Sequence, residues 1–375
     1  MWPESDESPQ PLKTGLTTGC CATACCVAAA QYLLTGQATN IVSVTLPKGK
    51  IVELTITDNQ QLTTHSTRAA TIKDAGDDPD VTHGATVFVE LLLKDQKGVT
   101  FHAAKGVGTV TRAGLSLAVS EPAINPVPRQ MMTEHLEHIG ELHGYDGGFE
   151  VWVGVENGEQ IALKTMNGRL GIIGGLSILG TTGIVRPFSC SAYIASIYQG
   201  LDVATTNGHT HVAATTGNRS EQAISDYYQL DEMALIEMGD FVGAVLSHAK
   251  KLISANSGLK KLSICGGFGK ISKLAMGKWN LHSQASSIDL TFLADLAKAR
   301  GANADLLAAI IASNICIDAL GHCFDHKIDL AEAVCQAALE KVDRKINGKV
   351  KKIELEIWVI DRQGNLISFS GNAAG

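Results

Sequence analysis

Between His209 and Asp240 the chain carries, in sequence order, the residue types that a nucleotide-like ligand requires. An apolar run at Val212–Thr216 flows into Gly217-Asn218-Arg219-Ser220-Glu221, and a second run, Ala234–Met238, ends at Gly239-Asp240. A glycine after a strand lets the backbone turn tightly and aim helix N-terminal amides at an anion. Glu237 follows Gly217 by 237 − 217 = 20 residues, about the spacing at which an acid meets ribose hydroxyls in βαβ dinucleotide sites, and Asp240 is a second acid for that role. Only one glycine of a G-x-G-x-x-G fingerprint is present, so an ordinary αβ turn with a polar cap reads the same way.

Four further stretches hold more glycine, proline and polar residues than packing needs. Lys73-Asp74-Ala75-Gly76-Asp77-Asp78-Pro79-Asp80-Val81-Thr82-His83-Gly84 crowds four aspartates and a histidine into one loop. Such density calls for a metal, a cationic ligand or arginines opposite it. GVGTVTRAGL at 106–115 leads to EPAINPVPR at 121–129, whose three prolines predict an extended chain presenting Glu121, Asn125 and Arg129. NGRLGIIGGLSILGTTGIVRPFS at 167–189 is glycine-rich enough for close backbone approach, with Thr181 and Thr182 suited to capping a turn. Ile264-Cys265-Gly266-Gly267-Phe268-Gly269-Lys270 reads as strand, glycine turn and helix. It is no Walker A loop, since Ile271 stands where Ser or Thr would bind magnesium.

Composition narrows the classes. The 375 residues hold 31 Lys+Arg against 38 Asp+Glu, a net charge of −7, which excludes a general nucleic-acid binder. Aromatics are 5%, so the cores rest on aliphatic and alanine packing. Met1–Gln10 lacks a basic n-region and an apolar h-region, and reads as a tail rather than a secretory signal. Leu306–Leu320 is interrupted by Ser313, Asn314 and Asp318 and is shorter than the about 20 residues of a membrane span. Nine cysteines without a signal imply reduced thiols in a cytoplasmic protein. In the helix-like stretch Thr18–Tyr32, Cys21 and Cys25 share a face that Cys20 and Cys26 do not join, which favours small core cysteines over a metal site. His322 and His326 have zinc-like spacing but lack two converging partners.

These segments require positioning elements. A helix is expected at about Cys20–Leu34, then a hairpin, Ile41–Leu46 with Ile51–Thr57, through the turn 47–50. Strands are expected at Ala85–Leu93, Val99–His102, Leu115–Val119, Glu150–Val155 and Ile161–Thr165. After Cys190 helices are expected near Ser191–Leu201, Arg219–Tyr228, Gly239–Leu252, Ile271–Met276, Ile288–Ala299, Ala304–Leu320 and Leu330–Asn347, with strands between and at Lys352–Ile360 and Leu366–Ser370. The expected architecture is α/β and α+β: a tail at 1–11, an N-terminal α+β domain at 12–189 and a Rossmann-like α/β domain at 190–375.

Taken together, LKTGLTTGCCATA at 12–24, KDAGDDPDVTHG, GVGTVTRAGL, EPAINPVPR, NGRLGIIGGLSILGTTGIVRPFS, TTGNRSE at 215–221, MGDFVG at 238–243 and GGFGK resemble the cobalt-precorrin-5B C1-methyltransferase family of anaerobic cobalamin biosynthesis. The resemblance implies transfer of a methyl group from S-adenosylmethionine to C1 of a cobalt-containing, ring-contracted tetrapyrrole, giving cobalt-precorrin-6A. One departure follows Gly277: His282-Ser283-Gln284-Ala285-Ser286-Ser287-Ile288-Asp289 keeps the family's His-Ser but lacks its later basic residue.

On that implication the cobalt belongs to the substrate, and the protein needs no metal of its own. Gly217, Asn218, Glu221, Glu237, Asp240 and Gly266 are the expected S-adenosylmethionine contacts. Asp78, His83 and Glu121, with Asp80 beside them, are the candidates to move a proton at the ring. The substrate's acetate and propionate groups oppose a net-negative protein and demand a local basic lining. Arg112, Arg129, Arg169 and Arg186 are expected to supply it, with Asn125, Thr181 and Thr182 nearby. A tetrapyrrole carrier without methyl transfer, and a phosphonucleotide enzyme using Lys270, are the competing classes. No nucleic-acid or membrane partner is expected; self-association and contacts with other enzymes of the pathway stay open.

Overall fold

The computed structural model describes residues 11–283, 285–347 and 353–372. The chain divides after Cys190 into two compact units.

The first unit is built around the helix Thr18–Thr35. Thr17 caps it, its Oγ1 accepting from the Cys20 amide at 3.2 Å, and Gly36 ends it at φ +72°. Residues 18–30 are buried without interruption, so the helix is apolar on all sides rather than on one stripe. It is long and apolar enough to cross a membrane by length and composition, yet 72% of it is buried inside the protein. It packs on a five-stranded sheet ordered Asp58–Thr63, Ser66–Ile72, Thr86–Lys94, Gly148–Val155 and Gly98–Ala103, where only the last pair is parallel. The helix Pro126–Leu142 packs against it from another side, with Gly19 so close that an added Cβ would lie 2.7 Å from Pro128. Cys20, Cys21, Cys25 and Cys26 are all fully or almost fully buried, and burial pushes the Cys21 thiol up to about 12. These are core residues, as the small size of the side chain allows.

The hairpin Ile41–Thr45 with Ile51–Thr55 forms as expected. Other expectations for this unit need correction. Leu115–Val119 is a run of bends and turns with only Leu117 buried, so it lacks the alternating buried face of a strand. Ile161–Thr165 is no strand: Gly158–Ala162 is a short helix. The chain at 121–129 is extended only as far as Asn125. A helix begins at Pro126, because proline in a first turn has no needed amide to lose. Asp58–Thr63 and Ser66–Ile72 are strands the sequence did not announce.

The second unit carries a five-stranded sheet ordered Leu235–Glu237, His211–Thr215, Lys261–Gly267, Glu354–Ile360 and Leu366–Asn372; the first four are parallel and the last is antiparallel. Alternate side chains feed two cores. Val212, Ala214, Leu262, Ile264, Leu355 and Ile357 join the larger one, with the helices Cys190–Thr206, Val242–Ser254, Phe268–Ala275 and Leu330–Ile346. Ala213, Cys265, Trp358 and Ile360 meet Ile224 of the helix Asn218–Tyr228 on the opposite face. Parallel strands buried on both faces read as the near-continuous apolar runs seen here. The single helix expected at Ala304–Leu320 is two, Ala304–Ile311 and Cys316–Asp325, broken by Ser313 and Asn314. Lys352 and Gln284 lie outside the described residues.

A polar network ties this sheet together. Glu356, 7% exposed, accepts from Lys261 Nζ at 2.6 Å, Tyr228 Oη at 2.7 Å, Ser263 Oγ at 2.8 Å and Trp358 Nε1 at 3.0 Å. Burial opposes its charge, but the Lys261 ammonium and the other three donors outweigh burial and hold the carboxyl at about 2. His211 Nε2 lies 2.9 Å from Ser263 Oγ, and Lys261 also pairs with Glu354 at 2.8 Å.

Candidate functional site

In the second unit His211–Thr215, first of these strands in the chain, has Leu235–Glu237, the second, on one side and Lys261–Gly267, the third, on the other. The strand order therefore reverses between His211–Thr215 and Lys261–Gly267, and open parallel sheets bind ligands in the crevice outside the carboxyl ends at such a point. The helices Asn218–Tyr228 and Phe268–Ala275 both begin there, each directly after a glycine, Gly217 and Gly267. Gly266 is pressed against the neighbouring turn: an added Cβ would lie 2.8 Å from Thr216 Cγ2. Ser220 Oγ accepts from the amides of Thr216 and Gly217, both at 3.1 Å, which fixes the turn.

Glu237 ends the adjoining strand, and Asp240 follows three residues after it. Gly239 between them has φ +54°, and an added Cβ would stand 3.0 Å from Tyr193 Oη. Tyr193 lies among these acids. Burial, the charges of Glu237 and Asp240, a hydrogen bond to Glu237 and the charge of Glu221 push its hydroxyl up to about 12. Gly217, Asn218, Glu221, Glu237, Asp240 and Gly266 thus all belong to one end of one sheet. Tyr193 was missed, since Ser-Ala-Tyr-Ile at a helix start carries no signal of its distant acids. Lys270 ion-pairs with Asp240 and also donates to the Leu281 carbonyl at 3.3 Å. Its ammonium is committed, which weakens the phosphonucleotide reading. It also leaves Glu237 rather than Asp240 as the carboxylate less tied to a cation.

In the first unit the loops are laced to each other by backbone. Gly15–Leu16 pairs with Ile184–Val185, and the Leu16 amide donates to Asp74 O at 2.8 Å. In the acidic loop two of the four aspartates meet lysine side chains and the other two accept backbone amides, where arginines were one of the partners expected. Lys73, 1% exposed, bonds Asp80 at 2.5 Å; Lys13 bonds Asp74 at 2.6 Å, and its backbone amide bonds Asp77 at 2.6 Å. Lys73 and Thr82 hold the Asp80 carboxyl below its ordinary value although burial opposes them. Asp78 accepts the backbone N–H of Phe188 at 2.9 Å. His83 Nδ1 accepts the Ala75 N–H at 3.1 Å, so in the neutral ring the proton sits on Nε2. That half-exposed edge is a donor, not a base.

Glu121 and Arg129 are partners at 3.1 Å, and Arg129 also donates to the carbonyls of Ile124 at 2.8 Å and Pro122 at 3.1 Å. Neither is the independent group expected. Asn125 leads the helix Pro126–Leu142 without a side-chain capping bond, and its amide donates to Ile178 O at 3.1 Å. Arg112 is exposed and lays its stem over Gly171, while Thr111 donates twice to Gly171 O at 2.8 Å; Arg169 is half-buried in that same turn. Thr181 is exposed, and Thr182 Oγ1 bridges to Ile184. Arg186 is exposed, two residues before Phe188. The Asp78 loop and the segment around Phe188 meet through one hydrogen bond, and the loops of Arg112 and Arg169 through Thr111 and Gly171.

Among the described residues no group of three or more His, Cys, Asp or Glu is arranged to hold a metal ion. His326 Nδ1 lies 2.8 Å from the His322 carbonyl, a contact within one helix end rather than a zinc pair. A groove of about 770 Å³ runs along Leu246, Ser247, Lys250, Lys251, Ser254 and Lys345, and none of the six strand-end residues lines it.

A family model described as CbiD matches residues 5–187, and one described as CbiD, C-terminal domain, matches residues 280–371. Curated relatives named cobalt-precorrin-5B C(1)-methyltransferase include that of Marinomonas sp. (strain MWYL1), 60% identical over 98% of this chain and 96% of its own. Those of Pseudomonas putida (strain W619) and Hahella chejuensis (strain KCTC 2396) are 56% and 57% identical, covering 99% and 97% of this chain and 100% and 97% of their own. Among solved structures, the cobalamin biosynthesis protein CbiD from Archaeoglobus fulgidus is 26% identical with a TM-score of 0.39, covering 71% of this chain and 80% of that one. The chain belongs to the CbiD family.

Proposed function

We propose that the protein methylates C1 of cobalt-precorrin-5B with S-adenosylmethionine as donor, giving cobalt-precorrin-6A in cobalamin biosynthesis. The observation that carries the reading is the convergence of two glycine-preceded helix starts and the acids Glu221, Glu237 and Asp240 at the point where the parallel strand order reverses. It is joined by full-length identity of 55–60% to relatives bearing that activity in their names. The second unit acts as a Rossmann-like donor domain. Gly217 and Gly266 allow close approach, amides after Gly217 meet the donor's carboxylate, and Glu237 takes the ribose hydroxyls. Acids around Tyr193 also suit the positive charge of the sulfonium.

The transfer is an in-line displacement. A ring-carbon electron pair forms the new C–CH3 bond as the S–CH3 bond breaks, and S-adenosylhomocysteine leaves uncharged. Holding the two centres in line can supply about 7–11 kcal/mol of the barrier, so the chain needs no covalent nucleophile. The cobalt arrives with the substrate. Arg112, Arg169 and Arg186, with the His83 Nε2–H, meet its carboxylates, while Glu121 and Arg129 brace the loop from which Asn125 projects. The enzyme works in the cytoplasm.

Incubating the full chain with methyl-labelled S-adenosylmethionine and cobalt-precorrin-5B, then weighing the tetrapyrrole, tests this. One labelled methyl per macrocycle is expected. Tight binding of the tetrapyrrole with no label transferred would replace the enzyme by a carrier.

A further inference from the structure

Phe188 is 68% exposed and has φ +55°. A bulky side chain in left-handed backbone is strained, and such a conformation persists only where its surroundings impose it. Here the imposed contact is visible: the Phe188 N–H donates to Asp78 Oδ1, 110 residues earlier in the chain. The loop that carries Asp78 is in turn tied down by Lys13 on Asp74 and Asp77, and by the buried Lys73 on Asp80. The segment before Phe188 is anchored too, through the pairing of Val185 with Gly15. An ordered acidic loop therefore holds a strained residue whose ring adds little to the core of the unit. Pro187 stiffens the approach, and Arg186 is exposed beside it. An exposed aromatic ring two residues from an exposed arginine suits a flat conjugated ring that carries carboxylates.

We propose that Phe188 is the platform on which the conjugated macrocycle rests, that Arg186 pairs with its side-chain carboxylates, and that Asp78 is a positioning residue holding the platform rather than a base. This deepens the assignment above, since it rests on the acceptor being a carboxylated tetrapyrrole. Stripping the ring removes a stacking surface, which in aromatic platforms weakens a ligand by roughly tenfold or more.

Two readouts on the full-length protein keep the proposal separate from the functional reading. The first is equilibrium binding of uroporphyrin III, a polycarboxylated porphyrin, followed by fluorescence quenching. The second is steady-state methylation of cobalt-precorrin-5B. Phe188→Ala is expected to weaken uroporphyrin and to raise KM for the tetrapyrrole, each about tenfold, with S-adenosylmethionine affinity and melting temperature unchanged. Phe188→Tyr and Phe188→Trp restore both. Asp78→Ala reproduces the defect in KM, and Asp78→Asn, which keeps an oxygen acceptor for the Phe188 amide, recovers most of it. Unchanged uroporphyrin binding by Phe188→Ala, or a loss of donor affinity instead, overturns the platform. An Asp78→Asn variant with kcat as low as Asp78→Ala and KM unaltered overturns the positioning role. A wild-type protein that binds uroporphyrin yet transfers no methyl group refutes the methyltransferase reading alone, and the platform is then judged on binding.

Discussion

Glu356 gives the sharpest energetic test, because its carboxylate joins two strands and a helix in the unit that holds the candidate site. Replacing Glu356 by Gln keeps the shape and most of the hydrogen-bonding atoms but removes the charge that Lys261 faces. The carboxyl sits at about 2 against an ordinary 4.5. At about 1.4 kcal/mol per tenfold in proton affinity, that gap corresponds to about 3 kcal/mol, shared by the whole network rather than owned by one bond. The side chain is 8% exposed, so solvent screens little of it. The sign follows from the direction of the shift. A depressed carboxyl stabilises the fold fully above its unfolded value near 4.5, and the contribution is lost as pH falls toward 2; more than half is gone by pH 3. His211, Glu354 and Tyr228 face the same group; burial and Lys261 lower His211 while the Glu356 charge partly offsets them. Wild type and Glu356→Gln are therefore also compared in a His211→Asn background, which removes that contribution from the difference. The assay is urea unfolding of wild type and Glu356→Gln from pH 7 to pH 3, read by tryptophan fluorescence, since Trp358 donates to this carboxylate. The difference in unfolding free energy should be about 3 kcal/mol at pH 7 and shrink steadily below pH 4.5. A difference that stays constant with pH, or one under about 1 kcal/mol at pH 7, refutes the reasoning.

Two other outcomes can be measured directly. Glu237→Ala should weaken S-adenosylmethionine about 10- to 100-fold by calorimetry, the range expected for losing charge-assisted hydrogen bonds; Asp240→Ala should cost less, because its carboxylate is already paired with Lys270, and the reverse ranking would reassign the ribose acid. Gly106→Ala should lower the melting temperature by several degrees or abolish folding, since Gly106 lies at φ +81° and the added methyl would stand 1.9 Å from Val155 O; a melting temperature equal to wild type would show that the backbone there yields freely.

The second unit was the more legible half. Its parallel strands are apolar runs separated by glycine turns and helical patterns, so Gly217, Glu237 and Gly266 could be placed together from spacing. What sequence could not supply was the partner across space: Lys270 on Asp240, or Tyr193 among the acids. In the first unit, Asp58–Thr63 is an exposed edge strand of polar residues, and Ser66–Ile72 buries Ser66, Thr67 and Thr71, so neither shows the apolar alternation that marks a strand. Pro126 and Pro128 disguised a helix start as extended chain. The charge-rich loops were recognised as special, yet the pairing of Arg129 with Glu121 and of Lys73 with Asp80 depends on a fold that brings distant segments together.

The meeting of Gly106, Gly158 and Gly175 has a consequence for how the first unit tolerates change. An added Cβ at Gly158 or Gly175 would come within 2.3 Å of the Gly106 backbone, and the amides of Gly108, Ala123 and Ile178 are bonded to carbonyls in neighbouring loops. Connecting segments ordinarily exchange their amide protons fast and absorb insertions. Here the connections are the woven part, and the rim of the sheet, with Asp58–Thr63 on its edge, is the loose one. Deuterium should therefore enter the edge strand before it enters the glycine loops, and natural variation in length should gather at the hairpin tips rather than between residues 104 and 179.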